Sequence, residues 1–225
     1  LPRYPTTPEQ VRRGIAALQI ELDRARITLQ VLPGGEIALD FLPRMREEDL
    51  RAATLGAGGR WLLLEMPYRG WPLQLPEMLE GLAVRGFGVV LAHPERAESV
   101  QLAPDRVRDL VGRGALLQLT AASFTGEHGG LARRTAETLL RDGYAHFLAS
   151  DAHGPVSRGP ALVEGLAAAA RSLGLEPPDL SWMVEEGPRL VVEGRPIRPP
   201  RLVPTRRPRP DAARGARVAP PPRRA

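Results

Sequence analysis

The stretch Gly88-Val89-Val90-Leu91-Ala92-His93-Pro94-Glu95-Arg96 decides how the rest of the chain is read. Its first five residues are small or apolar without alternation, the pattern of a strand buried on both faces. It stops at an imidazole followed by proline, which has no N–H to offer a ladder. An apolar strand thus delivers a polar, metal-competent side chain at its C-terminal end. Working outward, Trp61–Leu64 ends at Glu65, and His146–Ala149 runs into Ser150-Asp151-Ala152-His153. Leu116–Leu119 is a further strand, and Ile27–Leu32, halted by Pro33-Gly34-Gly35, reads as a strand ahead of Glu36.

Helical segments separate these runs. Thr7 is placed to cap a helix, Pro8 suits its first position and Gln10 completes a capping box. Val11, Ile15, Leu18 and Leu22 follow on one apolar face. Leu75–Arg85, Pro104–Arg113, Leu131–Asp142 and Pro160–Leu173 also read as helices. Short apolar strands alternating with helices imply an α/β fold with a parallel, helix-covered sheet.

The 225 residues allow one large domain or two small ones. All 31 basic residues are Arg, and the formal net charge is +5. That charge is unevenly placed. Residues 195–225 hold ten Arg, one Asp and nine Pro, a net of +9, which leaves residues 1–194 at −4. We read 1–194 as the folded domain and 195–225 as a Pro/Arg-rich disordered tail. The high pI belongs to the tail, so it does not make the body a nucleic-acid binder. Cys is absent, which excludes disulfides, thiolate metal sites and a cysteine nucleophile. No apolar run approaches the roughly 18 residues of a membrane span.

Glu36, Glu65, His93, Asp151 and His153 all sit beyond apolar runs. In parallel α/β folds the C-terminal strand ends share one face, where active sites gather. Five oxygen or imidazole donors there suit a divalent metal such as manganese, iron or zinc. Singly, each has a plainer reading: a solvated loop carboxylate, a hydrogen-bonded core histidine, a common Asp-x-His step. His128, in a Gly-rich loop, and His146, at a strand start, read as structural or solvent-facing. The joint pattern carries the argument.

Leu91–Arg96 and Ala149–His153 together resemble the PHP (polymerase and histidinol phosphatase) superfamily. The nearer likeness is to its bacterial capsular-polysaccharide branch, the CpsB/YwqE-type tyrosine phosphatases. Tyr4–Glu9, Val31–Ile37, Leu64–Tyr68, Thr120–Gly126, Ser157-Arg158-Gly159 and Glu185–Arg189 match in the family's order. The resemblance implies a distorted (β/α)₇ PHP-type barrel with up to three metal ions, most often Mn²⁺. It places Glu36, Glu65, His93, Asp151 and His153 as ligands, and Arg96 and Arg158 as holders of the substrate phosphate. A guanidinium fork suits phosphate oxygens.

The same resemblance implies phosphomonoester hydrolysis by metal-activated water on a phosphotyrosine protein, a polysaccharide-export tyrosine kinase. It also implies a cytoplasmic enzyme regulating capsule or exopolysaccharide synthesis; a homo-oligomer is compatible with it. The family's first strand, with its His-x-His pair and two further ligands, lies ahead of Tyr4–Glu9 and is not in this chain. We therefore expect a barrel lacking its first strands, an N-terminally truncated chain rather than a decayed one, and little activity from residues 1–225 by themselves. Two other readings stand beside this one. One is a small-metabolite phosphatase such as histidinol phosphatase. The other is an inactive PHP-derived binding module whose basic tail contacts acidic surfaces or RNA.

Overall fold

In a computed structural model, which describes residues 6–56, 58–154 and 158–198, strands and helices alternate along the chain. The order is α1 (Pro8–Arg24), β1 (Glu36–Ala38), α2 (Glu47–Ala53), β2 (Trp61–Glu65), α3 (Leu75–Val84), β3 (Gly88–Ala92), α4 (Glu98–Leu102) and α5 (Val107–Gly112). Then come β4 (Leu116–Thr120), α6 (Ala121–Thr125), α7 (Gly129–Arg141), β5 (Phe147–Ala149), α8 (Leu162–Leu173) and α9 (Glu186–Val192). Short 3-10 turns fill 39–44, 94–96, 104–106 and 177–183, so the helix predicted over Pro104–Arg113 opens as a tighter turn.

The strands form one sheet in the order β1-β2-β3-β4-β5, with every neighbouring pair parallel. Sequential order means each crossover moves the same way across the sheet. There is no reversal of the kind that makes a doubly wound fold. All C-terminal strand ends therefore lie along one edge.

Period two divides the side chains between two faces. Leu62, Leu64, Val89, Leu91, Leu117, Leu119 and Leu148 join the main core beneath the helices. There they meet Leu79 and Leu82 of α3, Leu110 of α5, Leu139 and Leu140 of α7, and Ala169 and Ala170 of α8. On the other face Trp61, Val90, Leu116 and Phe147 pack with Val191 of α9. Both faces are covered, which explains why the strands read as unbroken apolar runs. Ile37 takes the main core, so its neighbour Glu36 falls to the opposite face. Glu65 shares that face with Trp61 and Leu63.

α1 starts as its sequence predicts: Thr7 Oγ1 accepts the Gln10 N–H at 3.2 Å and the Gln10 side chain accepts the Thr7 N–H at 2.7 Å. Its apolar face is only partly covered, however, and no α1 residue is buried.

One predicted element is overturned. Ile27–Leu32 is not a strand; the first strand begins at Glu36. The segment alternates apolar and polar residues, but it finds no sheet to join. It runs back along α1 instead, where the Gln19 amide donates to the Leu29 carbonyl and accepts the Val31 N–H, both at 3.0 Å. Ile27 and Leu29 stay 50% and 58% exposed. Glu36 therefore opens a strand rather than following one.

Residues 195–198, assigned to the tail by composition, are held against the sheet. Trp61 Nε1 donates to the Arg195 carbonyl at 3.0 Å, and Ile197 packs on the Trp61 cluster. The disorder predicted for the tail concerns residues 199–225, which lie outside the described residues.

Candidate metal centre

The turn before β1 aims Glu36. Gly35 N–H bonds the Ala53 carbonyl at 3.0 Å, and Gly56 N–H bonds the Pro33 carbonyl at 2.7 Å. Pro33-Gly34-Gly35 is thereby clamped to the end of α2, and Glu36 leaves it in the sheet. Glu65 closes β2. His93 follows β3 directly: its N–H extends the ladder to the Gln118 carbonyl at 2.8 Å. Its backbone then turns left-handed at φ 31°, which ends the strand and starts the Pro94–Arg96 turn.

Among the described residues, four non-glycine residues have positive φ, and three are His93, Asp151 and Arg158. L-residues avoid this region, at a cost on the order of 1–3 kcal/mol each. Strain thus collects at the positions that carry polar groups.

These turns bring the predicted residues into one connected cluster. His93 Nε2 lies 3.3 Å from Glu36 Oε1 and 3.7 Å from Glu65 Oε1. Donor atoms of Glu36, His93 and Asp151 all fall within 4.8 Å of one another. Asp151 Oδ2 accepts from Arg96 Nη1 at 2.6 Å and also from Arg158 Nη2. Asp151 Oδ1 lies 3.5 Å from His153 Nδ1, and that nitrogen also meets the Asp151 carbonyl at 2.9 Å. The loop is pinned by His153 N–H to the Arg158 carbonyl at 2.9 Å. Ser157 lies outside the described residues.

Electrostatics match the geometry. Burial raises the pKa of Glu65, and the neighbouring Glu36 charge raises it further. Two carboxylates converging on a half-buried point favour a cation between them. Burial works against protonating His93, but the Glu36 hydrogen bond and the charges of Glu36 and Glu95 hold its pKa above the ordinary value. An imidazole with three carboxylates in reach is a donor set for a divalent metal of intermediate softness. The residues present therefore fit such an ion.

Sequence reading missed three neighbours of this cluster. Glu95 is 0% exposed, and its Oε1 accepts the Thr120 N–H at 2.9 Å and the Ser123 hydroxyl at 2.7 Å. It ties the turn between His93 and Arg96 to the end of β4. Its burial raises its pKa. Tyr68 takes Arg96 Nη2 on its hydroxyl at 2.6 Å. His128 is close enough that the Arg96 and Arg158 charges add to burial in lowering its pKa. For Glu95 the signal was present: a carboxylate flanked by two site residues within His93–Arg96. For His128 nothing in its Gly-rich loop pointed here. His146, by contrast, is structural as predicted. It is buried, and its Nδ1 accepts the Leu117 N–H at 3.0 Å.

Residues 2–179 match a family described as capsular polysaccharide synthesis, CpsB/CapC. The tyrosine-protein phosphatase YwqE of Bacillus subtilis (strain 168) is 30% identical over 208 residues, 91% of this chain and 80% of that protein. The tyrosine-protein phosphatase CpsB of Streptococcus agalactiae (serotype III, strain NEM316) is 26% identical over 179 residues, 76% of this chain and 72% of that one. A solved structure from the work on Bacillus subtilis YwqE and Streptococcus pneumoniae CpsB, described as unique metal-dependent tyrosine phosphatases, superposes with a TM-score of 0.74. It is 27% identical and covers 91% of this chain and 81% of its own.

Proposed function

This chain belongs to the CpsB/CapC family of capsular polysaccharide synthesis, and from that membership we propose that it is a metal-dependent protein-tyrosine phosphatase. The observation that carries the reading is the convergence of Glu36, His93 and Asp151 with two arginines at one edge of the sheet. We read the sequentially ordered parallel sheet as part of a (β/α)₇ barrel, supported by the match to the solved relative.

Glu36, Glu65, His93, Asp151 and His153 are the residues that would hold metal, with Mn²⁺ the ion we expect. A bound divalent metal supplies a deprotonated water at neutral pH and positive charge against the phosphoryl oxygens. Arg96 and Arg158 both reach the same carboxylate oxygen of Asp151, so their guanidinium groups converge on one small region. There they would grip phosphate oxygens and hold the phosphorus in line for attack. With both guanidiniums already gathered beside Asp151, positive charge would stand ready for the charge that develops on phosphate. Glu95 holds the turn that presents His93 and Arg96 together.

The substrate would be a phosphotyrosine protein, and the capsule-synthesis setting points to a tyrosine kinase of polysaccharide export. No helix among the described residues is long and apolar enough to cross a membrane. On the family's role rather than on that absence, we place the enzyme in the cytoplasm. The test is hydrolysis of a phosphotyrosine peptide by the full-length protein before and after chelation. We expect activity to vanish with chelator and return with Mn²⁺. Full activity in a metal-stripped sample would overturn the mechanism. Faster turnover of histidinol phosphate than of the peptide would reassign the substrate.

A further inference from the structure

Tyr68 stands at the open side of the cluster, in the loop after β2, and is 48% exposed. Two groups fix its ring. The His93 imidazole stacks on it with centroids 6.4 Å apart and planes 15° from parallel. Arg96 donates to its hydroxyl at 2.6 Å, with the guanidinium carbon 5.5 Å from the ring centroid. The Glu65 carboxylate lies beside the same hydroxyl. The Tyr68 carbonyl also accepts the Glu98 N–H at 2.8 Å, which anchors the backbone beneath. A large aromatic surface is therefore held rigid beside Arg96 while much of it faces solvent.

Structural need does not explain this arrangement. A tyrosine that served only to pack would be buried, and one that served only to orient Arg96 would need its hydroxyl rather than an open ring. A phosphate held by Arg96 would have its ester group within reach of this ring, whose centroid is 5.5 Å from the guanidinium carbon. We propose that Tyr68 is a specificity-determining residue that selects aryl over alkyl phosphate esters, its ring stacking on the aromatic group of the substrate while its hydroxyl positions Arg96. The proposal rests on the phosphatase reading above and deepens it to the substrate's leaving group. A pre-organised aromatic ring gains affinity because little side-chain freedom is lost on binding.

The experiment separates ring from hydroxyl. Tyr68→Phe keeps the ring and loses the hydroxyl; Tyr68→Leu loses both. Binding of phenylphosphonate and methylphosphonate to the Mn²⁺-loaded, full-length protein is measured by calorimetry, with thermal unfolding as the folding control. Phe should weaken both ligands by a similar factor, since Arg96 loses a partner in either case. Relative to Phe, Leu should weaken phenylphosphonate by about fivefold further, the size of one aromatic pair, and leave methylphosphonate where Phe put it. Turnover of phosphotyrosine and phosphoserine peptides should show the same split in KM. If Leu and Phe shift both phosphonates equally, Tyr68 is not a selector, and the proposal fails while the phosphatase reading stands. If the unsubstituted protein binds neither phosphonate, the phosphatase reading fails and takes the proposal with it.

Discussion

Asp151 accepts from both Arg96 and Arg158 and has a donor atom within 4.8 Å of those of His93 and Glu36, so changes here separate charge from shape. Asp151→Asn keeps the shape but removes the charge that two guanidiniums share and that the proposed metal would need. We expect phosphotyrosine hydrolysis to fall at least about a hundredfold, with metal content in elemental analysis falling in parallel. Arg96→Lys keeps the charge and loses the fork. KM should rise by about tenfold or more, because an ammonium cannot bind two phosphate oxygens in one plane. Glu95→Ala leaves the Thr120 N–H and Ser123 hydroxyl buried without their acceptor. Denaturant unfolding should show a loss of about 2–4 kcal/mol, and Glu95→Gln should recover part of it through its carbonyl.

His146 sets a pH dependence at the same scale. Burial lowers its pKa from the usual 6.5 to about 4. Protonation at Nδ1 would also strand the Leu117 N–H. The folded pKa is the lower one, so the stability it contributes is present above pH 6.5. It is lost as pH falls from about 6.5 toward 4, by about 3 kcal/mol at most. Melting temperatures across pH 7 to 4 should fall more steeply for the natural protein than for His146→Gln.

Elements place these residues, and their contacts carry their own predictions. α6 and α8 touch at Gly165, where an added Cβ would sit 2.6 Å from the Ala121 carbonyl oxygen. Gly165→Ala should destabilise the protein by about 1–3 kcal/mol, despite alanine's higher helix propensity, because backbone must move. α6 follows β4 without a loop, so activity should fall with stability if the shift reaches Thr120 and Glu95. A variant with lowered melting temperature and unchanged KM would confine the strain to the helix pair. At this scale the sequence was informative where both flanks agreed. β2, β3 and β4, α3 and α7 lie close to their predicted bounds, since each buries a face that its own periodicity announces. Ile27–Leu32 misled because alternation describes a strand only if a neighbour supplies hydrogen bonds. Here the Gln19 amide took the backbone groups instead.

Across the whole molecule, the sheet's sequential order matters more than any strand. It puts Glu65, His93 and Asp151 at the C-terminal ends of their strands, and the side chain of Glu36 reaches them from the start of β1, although 115 positions separate the first from the last. The net charge of +5 is dominated by residues 195–225, while the residues proposed for the site lie between Glu36 and Arg158. Removing residues 199–225 should therefore leave kcat/KM on a phosphotyrosine peptide unchanged within about twofold, since screening at physiological salt limits exposed charge to about 8 Å. A tenfold change on truncation would show that the basic segment takes part in substrate binding.

Alone, the sequence determined the fold class, the strand runs, the capping box of α1 and the identity of the residues at the strand ends. Those features are local: periodicity, proline and glycine positions, and the cost of placing a polar group beside an apolar run. Only the tertiary structure decided that Glu36 opens a strand, that Arg96 and Arg158 meet on one oxygen of Asp151, and that Glu95 and Tyr68 border the same centre. Each of these depends on which strand lies beside which and on three left-handed residues that aim side chains across the edge. Such geometry is fixed by long-range pairing, and no spacing along the chain records it.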